Sequence, residues 1–391
     1  MIQIGDCMKS VGVICEYNPF HNGHLYHIQN IKELYPDCAI VAVMSGNFTQ
    51  RGDTSIIDKW KKTEMALFYG IDIVVEIPFI FATQSADTFA KAAIELLTAL
   101  QVDYLVFGSE SNNINHLKEM ANIQLNHKKY NRLVLKYLEK GINYPSALSK
   151  ALYEISGKNI NKPNDILGIS YIREIMKQES HIIPNCIKRN NDYNSHELNE
   201  GITSATSIRY ALSHGDKVDS YVPEKVNDLL KQNLHFLENY FSFLKYKILS
   251  DKDNLNSYLT VDEGIENRIL KYIISSKNLN ELILKVKTKR YTYNKLNRMF
   301  THILCNITKE ETKKFHSIEY IRLLGFSKKG QEYLNEQKKQ IEIPIITKYS
   351  DISSDMLELE FRITSIYASI LDEKKKAEMI ESEYKNSPII R

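Results

Sequence analysis

VGVICEYNPFHNGH, residues 11–24, decides the fold. Its first six residues form a β-branched, apolar run of the kind that fills a strand buried on both faces. A polar turn with proline and glycine follows, and helical periodicity takes over from His24 to Leu34. The same alternation then repeats. AIVAVM at 39–44 reads as a second buried strand. Residues 58–69 read as a helix with Asp58 as N-cap and Gly70 just beyond its end, where the left-handed conformation is easy for glycine. IDIVVEI at 71–77 is a third strand stopped by Pro78, 85–100 an apolar-striped helix, and VDYLVF at 102–107 a fourth strand closed by Gly108. Strand–helix alternation of this kind predicts an α/β fold, a Rossmann-like doubly wound parallel sheet. Ligands then bind beyond the carboxyl ends of the strands.

From 109 to 178 the pattern is mostly helical, broken at Lys162-Pro163-Asn164; 181–187 reads as one more strand, and 201–212 opens a helix with several Ser/Thr caps to choose from. Beyond 213 glycine becomes rare and amphipathic stretches dominate. A boundary near Val222-Pro223 therefore predicts two domains, an α/β 1–215 carrying the ligand crevice and a mostly α-helical 216–391. The chain has 391 residues, 43% hydrophobic and 25% charged, and Lys+Arg 51 against Asp+Glu 48 leaves a net charge of +3. That profile excludes a disordered or fibrous chain, and the total charge alone names no polyanionic partner. No apolar run reaches the ~18 residues of a membrane span. The N-terminus has no signal-peptide pattern. Cys7, Cys15, Cys38, Cys186 and Cys305 are odd in number and contain no C-x-x-C pair, so a disulfide framework or structural zinc is disfavoured and a cytoplasmic location is expected.

The chemistry lies in His21-Asn22-Gly23-His24. Two imidazoles three residues apart at a strand-to-helix turn can face one pocket, and Gly23 lets a ligand approach the backbone. The helix start adds free N–H groups and a positive dipole end, an anion site built without lysine. Zinc is the weaker reading, because no third ligand has suitable spacing. The loop SGNFTQRGD, 45–53, ends the second strand. Gly46 and Asn47 are candidates to approach a bound ligand, and Gln50, Arg51 and Asp53 to form a lid or meet a larger partner; an ordinary flexible connection is the alternative. Asp72 and Glu76 interrupt an apolar strand and need partners, as an interior salt bridge or toward substrate.

H-x-G-H after a first strand, with the turn TSATSIR at 203–209, resembles the HIGH-motif nucleotidyltransferase superfamily. MSGNFTQRGD, DKWKKTEMAL, GIDIVVEIPF, QSADTFA, VFGSES and KPNDILGISYI, in that order, with VDEGIENRI, KTKRYTYNKLNRMFTHIL and IRLLGFSKKGQEYL in the second half, resemble the tRNA(Met) cytidine acetate ligase family. The likeness runs from Met8 onward, so Met8 is an alternative start. It implies that ATP and acetate give acetyl-AMP and pyrophosphate, and that the acetyl group passes to N4 of the wobble cytidine of elongator tRNA(Met). It also implies an ATP site formed by Ile14, Cys15, Glu16, Tyr17, Asn18, Pro19, Phe20, His21, Asn22, Gly23, His24, Leu25, Tyr26 and His27, with Gly108, Asn164, Arg189 of IKRNND, and Ser204. His21, His24 and Arg209 take the catalytic roles, with Mg²⁺ as the ATP counter-ion. The sequence departs from the family pattern at Ile202-Thr203-Ser204 and at Asp165. A small-molecule adenylyl- or cytidylyltransferase, or a non-catalytic RNA-binding protein, is the rival reading.

A tRNA needs a basic surface. Residues 271–300 hold Lys271, Lys277, Lys285, Lys287, Lys289, Arg290, Lys295 and Arg298 against Glu281 alone. Lys287, Lys289 and Arg290 are the RNA candidates, with Tyr291 and Tyr293 available to stack on unpaired bases.

Overall fold

The structure is a computed structural model that describes residues 8–189 and 203–391. Cys7, Asn190 to Asp192 of IKRNND, and Gly201-Ile202 lie outside the described residues. Strands β1 (Ser10–Cys15), β2 (Ala39–Ser45), β3 (Ile73–Ile77), β4 (Tyr104–Ser109) and β5 (Ile183–Lys188) are joined by helices. Those that matter here are α1 (Asn22–Leu34), α2 (Lys59–Phe68), α3 (Ala86–Ala99), α4 (Pro163–Lys177) and α5 (Ala205–Ser213). The second half is largely helical and includes α6 (Tyr293–Leu304), α7 (Asp355–Tyr367) and α8 (Glu373–Lys385). It also supplies β6 (Ile321–Phe326), β7 (Ile345–Ile346) and β8 (Ile389–Ile390).

The sheet runs β5-β4-β1-β2-β3-β6-β7, with β8 also paired to β6. β1 to β5 are mutually parallel, and β6 lies antiparallel on β3. Strand order reverses between β1 and β4, the switch point at which such sheets open a crevice. Alternate side chains divide the core. Val11, Val13, Ile40, Ala42, Met44 and Val74 pack on the α1/α2 side, and Val41, Val43, Ile73, Val75 and Leu105 on the α3 side. Each such fully covered Val, Ile or Leu contributes roughly 1.5–3 kcal/mol.

Local rules set most boundaries. The Asp58 side chain accepts the Lys61 N–H at the start of α2, the Ser85 hydroxyl accepts the Thr88 N–H at the start of α3, and Gly70 has φ +102°. Two elements differ from the sequence reading. β4 passes through Gly108 to Ser109, because Gly108 pairs with Ile187 and the stem of Arg189 lies where its Cβ would be, 2.9 Å from Arg189 Cγ. β6 was not expected as a strand: IRLLGF sits in a helical neighbourhood, yet it covers the open edge of β3. One sheet thus draws strands from both sides of residue 215. Among the described residues, no helix is long and apolar enough to cross a membrane.

Candidate active site at the β1–β4 crevice

A cleft of about 240 Å³ opens beyond the carboxyl ends of β1, β4 and β5. Its walls come from β1 and the following turn, from the loop around Arg51, from Gly108 and Asn164, and from Arg189 and the start of α5. Of the residues expected for ATP, Ile14, Cys15, Glu16, Tyr17, Asn18, His21, Gly23, His24, Tyr26, His27, Gly108, Asn164, Arg189 and Ser204 line it, with Arg209 and Arg51. Four of the turn residues do not. Pro19 is absent from the wall. Phe20 is buried and stacks on Tyr69 at 5.1 Å, Leu25 packs into the core, and the Asn22 side chain donates to the Ser220 carbonyl.

The turn is braced from behind. Tyr17 takes φ +46°, a left-handed conformation that costs on the order of 1 kcal/mol in a residue with a side chain. Asn18 holds the bend, its Nδ2 donating to Thr54 O (2.9 Å) and its Oδ1 accepting from Ile56 N (2.8 Å). Lys62, fully buried, donates to the carbonyls of Glu16 (3.0 Å), Ser45 (2.7 Å) and Gly46 (2.8 Å) and to the Ser55 hydroxyl (2.8 Å), tying the ends of β1 and β2 together. Burial lowers its pKa to about 8.

His21 is the N-cap of α1. Its Nδ1 accepts the Gly23 N–H (3.0 Å), and His24 Nδ1 accepts the His21 N–H (3.3 Å). Both rings therefore use Nδ1 as acceptor, and in the neutral imidazole the proton then sits on Nε2. The rings stack with centroids 3.8 Å apart. Burial, reinforced by Arg189 and Arg209, pushes His21 down to about 3. Burial beside His21 holds His24 well below the usual histidine range, and burial with Arg189 takes His27 to about 4. The pair thus presents neutral N–H donors at pH 7 without adding charge.

A second helix start completes the anion site. Ser204 caps α5, its Oγ accepting the Ser207 N–H at 3.1 Å. Arg209, one turn in, donates to Asn18 O at 2.7 Å and pairs with Asp53 Oδ2 at 3.6 Å. Two helix N-termini and Arg209 thus converge on one cleft, a favourable field for polyphosphate. On the far wall Asn164 bridges, its Nδ2 donating to Glu110 Oε1 (2.7 Å) and its Oδ1 accepting from Arg189 Nη1 (3.2 Å). Asp165 turns inward and accepts from the Ser109 hydroxyl and from the Glu110 and Ser111 N–H groups, which makes it a brace for the β4 turn.

Several candidates fall elsewhere. A Cβ on Gly46 would meet Glu76 Oε1 at 2.2 Å, and Asn47 is buried, bonded to Thr364 and to Lys59 N, so neither faces the cleft. The 45–55 loop is a largely buried, stapled turn in which Thr49 N bonds Asp53 O (2.9 Å) and Ser55 N bonds Asn47 O (2.9 Å), with Gln50, Arg51 and Asp53 half-buried at the cleft. Glu76 joins Lys59 (2.8 Å), which also holds Glu383 (2.8 Å), and Asp72 accepts from Ile40 N and the Ser327 hydroxyl. Both carboxylates are structural. Lys287, Lys289 and Arg290 are exposed and outside the cleft, and Arg290 pairs with Glu263. Tyr291 is buried and donates to Asp262 O, so it cannot stack on a base, while Tyr293 is 40% exposed. Sequence reasoning missed Phe89, Phe107, Leu167 and Tyr171, the apolar wall; they carry no local signal beyond core hydrophobicity.

Fold and site together define a nucleotidyltransferase of the HIGH type, and the family described as HIGH Nucleotidyl Transferase matches residues 8–383. A tRNA(Met) cytidine acetate ligase of Geobacillus sp. (strain WCH70) is 39% identical over 401 residues, covering 98% of this chain and 100% of that protein. That of Bacillus subtilis (strain 168) is 39% identical over 405 residues, covering 98% and 97%. Thermotoga maritima TmcAL bound with alpha-thio ATP superposes with a TM-score of 0.88 at 32% identity, covering 98% of this chain and 99% of that one. The apo form of the same protein gives 0.90. The chain belongs to the tRNA(Met) cytidine acetate ligase family.

Proposed function

We propose that this protein condenses ATP with acetate to acetyl-AMP and transfers the acetyl group to N4 of the wobble cytidine of elongator tRNA(Met), acting in the cytoplasm. One observation carries the reading: His21, His24, the start of α5 and Arg209 meet in a single cleft at the switch point of the sheet. An acetate oxygen attacks the α-phosphorus, and the bond to the β-phosphate oxygen breaks. Pyrophosphate leaves with the electron pair. Repulsion between a carboxylate and a triphosphate is the obstacle. Preorganised donors offset it without a covalent enzyme intermediate. The Nε2–H groups of His21 and His24 bind the α-phosphoryl oxygens and the departing pyrophosphate. Ser204, the α5 N-terminus and Arg209 hold the pyrophosphate end. Gly108, Asn164 and Arg189 receive the nucleoside. The N4 amine of cytidine then attacks the acetyl carbonyl, AMP leaves, and N4 loses a proton.

Mg²⁺ would serve as the ATP counter-ion, offsetting phosphate charge; among the described residues no cluster of His, Cys, Asp and Glu is arranged to hold a metal, and the cleft carboxylates Glu16 and Asp53 accept from Gln50 N (2.9 Å) and from Asn297. Residues 216–391 supply the tRNA surface, centred on Lys287, Lys289 and Arg290. The helix that follows this segment, α6, packs on the cleft loop, which supports that placement. Incubation with ATP, labelled acetate and total tRNA, followed by nucleoside analysis, should yield labelled N4-acetylcytidine. Label confined to adenylate, or none, refutes the transfer.

A further inference from the structure

The loop Arg51-Gly52-Asp53 forms one lip of the cleft, and it is held from the helical half. Asn297 and Thr301 lie one turn apart on the same face of α6. The Asn297 amide, 3% exposed, donates to Arg51 O (3.3 Å) and to Asp53 Oδ1 (2.8 Å), and Thr301 Oγ1 donates to Gly52 O. Gly52 has φ +84° and presses on the α6 backbone so closely that a Cβ would lie 2.5 Å from Arg298 N. Three successive loop residues are thus fixed by one helix.

Asp53 is where this clamp meets the chemistry. Its Oδ1 takes the Asn297 N–H, its Oδ2 faces Arg209 Nη2 at 3.6 Å, and its carbonyl accepts Thr49 N–H at 2.9 Å. Among the described residues it is the one carboxylate in ion-pair range of Arg209. The guanidinium is otherwise oriented by Asn18 O (2.7 Å) and, weakly, by Thr206 Oγ1 (3.5 Å). An arginine fork works through direction, and a small rotation would aim its donors away from the phosphates.

We propose that Asp53 is a positioning residue for Arg209 and that Asn297 of α6 holds Asp53 in that pose. The helical half then takes part in forming acetyl-AMP without touching ATP. The inference rests on the proposed acetate ligase reading and extends it to Asn297, outside the cleft wall. Its second consequence is a path between the basic 285–290 segment, which immediately precedes α6, and the pyrophosphate end of the site.

The test is a double-variant cycle read by acetate-dependent ATP–pyrophosphate exchange in the full chain. Asn297→Ala and Asp53→Asn should each lower kcat by about tenfold with the KM for acetate unmoved, the size expected for coupled neighbours. Asp53→Asn keeps an oxygen for Asn297 to bond and so preserves the fold if Asn297→Ala does not. In an Arg209→Lys background, where the fork is gone, either change should cost less than about twofold more. Full additivity with Arg209→Lys, or unchanged kcat in Asp53→Asn, overturns the inference. Absence of exchange in the unaltered protein overturns the acetate ligase reading instead.

Discussion

Replacing His21 by asparagine separates two jobs that the ring performs at once. As N-cap it accepts the Gly23 N–H, and toward the cleft it offers Nε2–H. Asparagine is among the best N-caps, so the Gly23 bond survives, and the cleft-side space left by the smaller side chain admits water. Stability should therefore fall by less than about 1 kcal/mol. His21→Ala removes the cap as well and should cost about 1 kcal/mol more. The lost cleft donor is a different matter. Removing one preorganised donor to a developing oxyanion costs about 10²–10³ in kcat, or roughly 3–4 kcal/mol of barrier. Both variants should then show the same 10²–10³ loss in acetate-dependent pyrophosphate exchange, while urea unfolding separates them by about 1 kcal/mol. If His21→Asn exchanges at near the unaltered rate, the donor role is wrong. If activity recovers in proportion to restored stability, His21 is only a cap.

Lys59 lies buried between Glu76 and Glu383. Lys59→Met leaves Glu76 buried without its cation and Glu383 with Arg322 alone, and should destabilise by about 3–5 kcal/mol in urea titration; a loss under about 1 kcal/mol would mean the carboxylates are already protonated. Replacing Lys287, Lys289 and Arg290 by alanine should weaken tRNA binding and reduce the slope of log K against log salt by up to about 2, leaving exchange intact; an unchanged slope argues against that surface. His302 is buried and donates through Nε2 to Thr83 O at 2.8 Å. Burial holds it at about 4. The unfolded chain therefore binds one proton more between that value and about 6.5, so stability drops as pH falls through this window. His302→Gln should remove about 2 kcal/mol of the loss between pH 7 and 5; an identical pH profile contradicts the assignment.

The strands and helix caps up to β5 were legible because each obeys a local rule: a β-branched run, an Asp58 or Ser85 cap, a Gly70 stop. The H-x-G-H turn was legible for the same reason. The start of α1 at Asn22 was not, since an imidazole N-cap is outside the usual Ser/Thr/Asp/Asn set. Gly46 and Asn47 misled because a polar loop at a strand end looks the same whether it faces a ligand or the buried Lys59 backbone N–H and Lys62 ammonium group. Tyr291 misled because alternation of charge and aromatic does not say which ring turns inward. The Asp53–Asn297 contact joins residues 244 positions apart, and no periodicity encodes that distance.

β6 has a consequence for biosynthesis. The edge of β3 stays uncovered until residues beyond 320 leave the ribosome, and Glu383, which shares Lys59 with Glu76, arrives later still. The nucleotide crevice is encoded early, but the sheet behind it closes last. A nascent or truncated chain ending near residue 300 would carry a bare, apolar β3 edge ready to pair with a neighbouring chain, which makes this the point where the protein depends on prompt completion or on a chaperone.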